Sequence, residues 1–361
     1  MSGKKIVFTG GGTAGHVFPA FPVVKRLKKT GYEIFWIGSS AGMEKPLVEA
    51  EGIKYYGIPS GKLRRYFSIK NFTDLFKITA GFIRSVIILK KEKPDLLFSK
   101  GGFVSVPPAA AARLLNIRSV THESDADPGL ATRLNIKLGA RIFVSYRKTL
   151  EYLPPSAVSE ALVTGNPVRD ELTNGVRSKG RESAGLSEND TRPLLLVLGG
   201  SQGAEEINKL IDASINSLLE FCAVVHQSGN NYSPARKSGG GYLVKPFFSS
   251  ELPHLFAAAD LAVSRSGASS LWELAAAAVP AVLIPLRTAS RGDQVLNAEI
   301  AEKNGMAVVP QKDIVPEDFV ELVKKLILDK ERLSEMKKSS YSFSEGNAAD
   351  KIAQAISEML R

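Results

Sequence analysis

The chain has almost no sulfur chemistry and no long apolar run. A single cysteine, Cys222, in 361 residues excludes a disulfide framework and fits a reducing compartment. It lies in the apolar run FCAVV, where a small packed side chain is expected rather than a nucleophile. No stretch reaches the roughly 18 uninterrupted apolar residues of a membrane span. The opening MSGKKIVFTGGG meets its glycines after too short an apolar run for a secretory leader. No group of His, Cys or Asp has metal-ligand spacing, and neither repeats, low-complexity tracts nor a nucleic-acid-binding signature are present.

What is present begins with length. A chain of 361 residues exceeds the usual size of one hydrophobic core, so two domains are expected. Charge is unevenly shared between its halves. Residues 1–163 hold 25 Lys+Arg against 12 Asp+Glu, and the remainder holds 47−25=22 against 37−12=25. Within the basic half, Gly61 to Pro94 carries nine Lys+Arg, two acids and five aromatics. There, Phe72, Leu75, Phe76, Thr79, Ile83, Val86 and Ile87 follow helical spacing and are expected to face a core, leaving Ile78, Phe82 and Leu89 as surplus. Cations interleaved with surplus apolar residues read as an anionic-membrane-binding surface, with Leu63, Arg64, Arg65, Phe67, Phe72, Phe76 and Phe82 as its candidates. A solvated basic face over an ordinary core helix is the plain alternative.

Short apolar runs recur at helix-length intervals: KKIVFTG, EIFWIG, PDLLFS, RSVTHE and ARIFVS. Continuous apolar runs suit strands covered on both faces, hence a parallel sheet. The pattern restarts at RPLLLVLGGSQGAEEIN and continues through FCAVVHQ, GYLVKPF, DLAVSR, PAVLIP and MAVVP. The expected fold is α/β, with two Rossmann-like domains whose parallel sheets face one another across a cleft. The boundaries expected are 1–165 and 166–345, with 346–361 a helix packing back on the first domain. RSKGRESAGLSENDTRP, charged and aperiodic, is expected as a surface segment just after the hinge.

Two glycine turns, Gly10–Gly15 and Gly199–Gly203, each follow a strand and precede a helix. Glycines admit an anion close to the backbone, and a helix start presents free N–H groups and a positive dipole end. A dinucleotide oxidoreductase would use such a turn with an acid on the next strand, and Glu33 stands at about that distance. Against it, GGGTAGH has the wrong spacing and leaves His16 without a role. In SRSGASSLWELAAAAVPAVLIP, Gly267 opens a helix with Ser269 and Ser270 in its first turn and Glu273 one turn later. That carboxylate suits a ribose diol, and the helix start suits a phosphate, so a nucleotide diphosphate is assigned to the second domain. Dipole stabilisation of the helix is the plainer use of Glu273.

Eight motifs occur in order: GGGTAGHVFPA, SKGGFVSVP, THESDADPGL, TGNPVR, LGGSQGAEEIN, HQSG, SRSGASSLWELAAAAVPAVLIPL and SRGDQVLNA. This order resembles the MurG family, the UDP-N-acetylglucosamine glycosyltransferases of peptidoglycan synthesis. The resemblance implies a GT-B fold and inverting transfer of N-acetylglucosamine to undecaprenyl-pyrophosphoryl-MurNAc-pentapeptide, lipid I, to form lipid II. It implies a peripheral protein on the cytoplasmic face of a bacterial inner membrane, working among other cell-wall synthesis enzymes. Donor contacts implied by it are Thr13, Ala14, Gly15, Asp125, Arg169, Ser201, Ser249, Ala268, Ser269, Ser270, Leu271, Trp272, Glu273 and Gln294. Acceptor contacts are Gly12, Thr13, Gly15, Gly101, Gly102, Phe103 and Ser105. Arg265 matches a basic position of the motif and serves either the ligand or its own loop.

Three positions depart from relatives: Ala14 stands where many have glycine, Asp125 where some have asparagine, and Phe103 where others have tyrosine. An inverting transfer needs one general base on the acceptor hydroxyl. His16 suits that role by its ordinary pKa, and Asp125 is the rival. No cofactor is required on this reading, and any Mg²⁺ would sit on substrate phosphate. Of the other histidines, His122 lines the acceptor side or packs, His226 ends a strand near the donor, and His254 is an ordinary surface or core-edge residue. A sugar-nucleotide epimerase of the same architecture and a non-catalytic membrane scaffold are the competing functions.

Overall fold

A computed structural model describes residues 3–61, 69–200, 203–287, 292–344 and 346–361, the side chains of 69–73 excepted. The chain divides into two compact units, 1–168 with 346–361, and 169–345.

In the first unit the described residues form a seven-stranded sheet in the order β3-β2-β1-β4-β5-β6-β7. Its strands are β1 (Lys5–Thr9), β2 (Glu33–Ser39), β3 (Lys54–Ile58), β4 (Leu96–Ser99), β5 (Arg118–Glu123), β6 (Arg141–Val144) and β7 (Leu162–Val163). Every pairing is parallel. Alternation along the strands explains why the runs are apolar throughout. Ile6, Phe8, Trp36 and Phe98 pack on one face with helices Ala20–Lys29 and Ala348–Met359. Val7, Phe35, Ile37 and Leu97 pack on the other, under Ile88, Leu89, Ala111 and Ala112. Helix Ala348–Met359 is capped by the Asn347 side chain, which accepts from Ala349 N at 3.1 Å, and it buries Ile352 and Ile356 completely.

The second unit repeats the plan with six strands in the order β10-β9-β8-β11-β12-β13, again all parallel. They are β8 (Leu194–Leu198), β9 (Ala223–Gln227), β10 (Tyr242–Lys245), β11 (Leu261–Ser264), β12 (Ala281–Leu283) and β13 (Ala307–Val308). Cys222 is buried in this core, as its apolar neighbours predict, with Sγ 3.2 Å from the Leu218 carbonyl. Both sheets follow the doubly wound order, so the winding reverses between β1 and β4 and between β8 and β11, where ligands of such sheets bind.

Four expectations need correction. β3 and β7 carry no apolar run and are missed by pattern: β3 is only half covered, and β7 is two residues long. The aperiodic segment contains a helix, Arg177–Ser183, because Gly180 lets it lie directly on the His254 carbonyl. Glu33 sits at the amino end of β2, opposite the glycine turn, and pairs with Lys5 at 3.3 Å, so it cannot hold a ribose there.

The fourth correction inverts a helix. In Ile69–Glu92 the expected core stripe faces solvent: Leu75, Phe76, Ile83 and Ile87 are each more than half exposed. Val86 faces the sheet as expected, but its companions there are Phe82 and Leu89 from the surplus, with Ile88. Small and hydroxylated side chains decide the rotation. Gly81 packs against the Pro59 carbonyl where any Cβ would clash, and Ser85 Oγ is satisfied within the helix by the Gly81 carbonyl at 2.7 Å. A residue without Cβ marks the close-contact face more strongly than apolar periodicity does.

Candidate functional site

In the first unit, three loops leave the carboxyl ends of β1, β4 and β5 and interlock. Gly102 has φ +78° and ψ 156°, a region open only to glycine. A Cβ there would fall on the Gly11 carbonyl oxygen and lie 3.2 Å from His16 Nδ1. Gly12, at φ +85°, is covered by the Phe103 ring, whose Cε1 would be 2.7 Å from a Cβ. The His16 imidazole therefore lies against Gly101–Gly102, half-buried, with Nδ1 3.0 Å from Thr13 Oγ1. Burial, and then the Lys100 ammonium, hold its pKa below the ordinary imidazole range, while Glu123 and the Gly11 carbonyl act the other way. Ala14, in the short 3-10 turn Ala14–His16, has no positive φ, so its Cβ is tolerated without strain.

Two carboxylates not singled out from sequence shape these loops. Glu44, fully buried, accepts from Ser39 N at 2.7 Å and Gly12 N at 3.3 Å. Its carboxylate crowds Gly11, so protein charge fills the place a dinucleotide phosphate would take at this turn. Glu123, at the end of β5, accepts from Ser124 N (2.9 Å), Asp125 N (3.1 Å), Gly129 N (2.9 Å) and Thr132 Oγ1 (2.6 Å). Four donors on one carboxylate set the path of the loop that carries Asp125. Ser105 is buried and shapes the second turn from beneath, donating to the Gly102 carbonyl at 2.9 Å and accepting from Asn135 Nδ2 at 3.1 Å.

In the second unit, helix Ala268–Ala276 starts after the N-cap Gly267 with no side-chain cap and no acidic residue in its first turn. Its first N–H groups have no intrahelical acceptor and its positive end is uncompensated, a geometry that suits an anion. Ala268, Leu271 and Trp272 turn into the core, whereas Ser269, Ser270 and Glu273 remain half-exposed. Glu273 Oε1 lies 3.3 Å from Arg169 Nη2. Burial raises the Glu273 carboxyl pKa, and the Arg169 guanidinium opposes it.

The glycine turn after β8 is a different case. Its helix, Glu205–Leu218, opens with Glu205 and Glu206, which already compensate the dipole. Glu206 is paired with Arg265 at 2.6 Å, and Arg265 also donates to the Ile284 carbonyl at 3.0 Å, so Arg265 holds its loop. Ser201 lies outside the described residues. Gln294 Oε1 accepts from Leu286 N at 2.9 Å, and its backbone carbonyl accepts from Ser266 Oγ at 2.6 Å, which ties helix Asp293–Lys303 to the start of helix Ala268–Ala276. Ser249 is exposed and gives its N–H to Glu251 at 3.2 Å. His226 is buried between Tyr242 Oη (2.9 Å) and Asn208 Oδ1 (3.0 Å), and His254 accepts from Val176 N at 3.0 Å. Both are structural.

Residues 6–144 match the glycosyltransferase family 28 N-terminal domain, and residues 194–356 match the glycosyltransferase family 28 C-terminal domain. The chain belongs to glycosyltransferase family 28. Among family relatives, a Treponema denticola protein is 43% identical over 386 aligned positions, covering 99% of this chain and 97% of its own length. One from Clostridium tetani is 42% identical over 364, covering 98% and 97%. Each is named UDP-N-acetylglucosamine–N-acetylmuramyl-(pentapeptide) pyrophosphoryl-undecaprenol N-acetylglucosamine transferase. The fold is also similar to the crystal structure of Acinetobacter baumannii MurG, with TM-score 0.76, 26% identity, and 99% and 100% of the two chains covered. A Listeria monocytogenes protein described as a UDP-N-acetylglucosamine 2-epimerase superposes with TM-score 0.72 at 13% identity, covering 99% and 97%, which shows a shared GT-B fold alone.

The interlocked turns make a direct prediction. Gly102→Ala should destabilise the first unit by at least about 1–3 kcal/mol. Gly31→Ala, at φ +91° with open space around it, should cost visibly less. Denaturant midpoints check the ranking, and equal losses would refute close packing of the two turns.

Proposed function

We propose that the chain transfers N-acetylglucosamine from UDP-N-acetylglucosamine to the MurNAc C4 hydroxyl of lipid I, forming lipid II. The observation that carries the donor half is the uncapped, uncompensated helix start at Gly267–Ser270 with a carboxylate one turn on. Phosphate on the free N–H groups and ribose hydroxyls on Glu273 use its features together. The names of full-length relatives support the sugar and the lipid acceptor.

The reaction is an in-line displacement. The C4 oxygen bonds to the anomeric carbon as the bond from that carbon to the UDP oxygen breaks, and the configuration inverts. The hydroxyl proton passes to His16, whose lowered pKa leaves the ring unprotonated at neutral pH. The negative charge that develops on UDP is stabilised by the helix start. Any Mg²⁺ would ride on substrate phosphate.

The acceptor is a lipid, and the exposed face of helix Ile69–Glu92 suits an anionic membrane surface. Leu75, Phe76, Ile83 and Ile87 project beside the exposed Lys77, Arg84, Lys90 and Lys91. Phe82 leaves this set because it packs inward. Leu63, Arg64, Arg65 and Phe67 lie outside the described residues, as does the Phe72 side chain. No helix among the described residues is long and apolar enough to cross a membrane. This reading makes the protein peripheral, at the cytoplasmic face of a bacterial inner membrane beside other cell-wall enzymes.

Radiolabel transfer from UDP-N-acetylglucosamine to a short-chain lipid I analogue tests the function. His16→Ala should lose about 10²–10⁴-fold in rate, and more than Asp125→Asn; the reverse ranking moves the base to Asp125, and no transfer by wild type refutes the lipid I assignment. Sedimentation with anionic vesicles tests the surface. Binding should fall with salt and weaken further in Phe76→Ser, whereas absence of binding at low salt would end that proposal.

A further inference from the structure

Lys100 is a charge whose burial the reaction above leaves unexplained. It follows β4, is 1% exposed, and is ringed by neutral acceptors: His122 Nδ1 at 2.8 Å, Asn166 Oδ1 at 3.2 Å, and Ser124 Oγ. A buried ammonium costs several kcal/mol unless compensated, and among the described residues it forms no ion pair. His122 fixes the direction of the network. Its Nε2 lies 3.0 Å from the Gly165 carbonyl, which can only accept, so that nitrogen carries the proton and Nδ1 accepts from Lys100. All three N–H donors of the ammonium are thereby used.

We propose that Lys100 is a positioning residue for His16: its buried ammonium, held under the second glycine turn by three neutral acceptors, keeps the imidazole on that turn unprotonated and ready to take the acceptor's proton. The inference rests on the reading of His16 as the base. The His16 ring lies on Gly101, the next residue along the chain, with Cδ2 3.6 Å from where a Cβ would stand. Other charges around the ring do not cancel the effect. Glu123 approaches from β5 and acts the other way on the ring, but less than Lys100 does. Glu44 engages the far side of the first turn at Gly12 N, and Asp125 acts on Lys100 itself. Burial pushes the Lys100 pKa down to about 7, against Glu123 and Asp125. Lys100 and His16 repel each other's charge, and as pH falls through about 7 the proton goes to Lys100 before His16.

The sign is definite. Without the charge at residue 100, His16 holds its proton to higher pH, and activity fails earlier as pH falls. Lys100→Gln keeps a donor for His122 and removes only the charge, and Lys100→Met is a second, unbranched neutral variant. In the full chain, the His16 ring is followed by NMR from pH 5 to 9, with its signal assigned by loss in His16→Gln. In wild type it should titrate below a histidine in an unstructured peptide and move to higher pH in either variant. The ratio of kcat/KM at pH 6 to that at pH 8 should fall about tenfold in Lys100→Gln. An unchanged His16 titration in the variants overturns the proposal. Should neither variant fold, a wild-type His16 that titrates at or above the peptide overturns it as well. Absence of transfer by wild type counts against the function alone, because the NMR titration decides the role of Lys100 without turnover.

Discussion

The contact on which the first unit's chemistry depends is between two backbones: the Gly11 carbonyl resting where Gly102 would carry a Cβ. Because neither turn can move without the other, the imidazole of His16 gains a floor, and Thr13 holds its Nδ1 edge. Buried carboxylates then fix the loops from both sides, Glu44 at the first turn and Glu123 at the loop after β5. A side chain placed on backbone rather than on mobile side chains loses little further entropy when it is held in one orientation.

The second unit solves a different problem with a similar element. Two of its helices start beside glycines at the reversal of winding, yet only helix Ala268–Ala276 leaves its positive end uncompensated. The other carries Glu205 and Glu206 in its first turn, paired with Lys209 and Arg265, so its dipole already faces side-chain charge.

Much of this was legible in sequence. Apolar runs located most of both sheets, and Gly267, Ser269, Ser270 and Glu273 were readable as a helix start because local spacing alone puts them within its first two turns. What escaped depends on contacts distant in sequence. The rotation of helix Ile69–Glu92 is set by Gly81 meeting Pro59, which periodicity cannot reveal. Glu44, Glu123 and Lys100 read as ordinary surface charges until the sheet order brings strand ends together. For Glu123 and Lys100 the one sequence signal is position, at or just beyond an apolar strand run, where a charged residue lies at the ligand-binding edge of a parallel sheet.

The measurement that tests the account most directly is hydrogen exchange of the full chain with and without UDP-N-acetylglucosamine. The account predicts slowed exchange in peptides spanning Gly267–Glu273, with those spanning Gly10–His16 little changed by the donor alone. Protection confined to Gly10–His16, with Gly267–Glu273 unaffected, would contradict the assignment of the donor to the second unit.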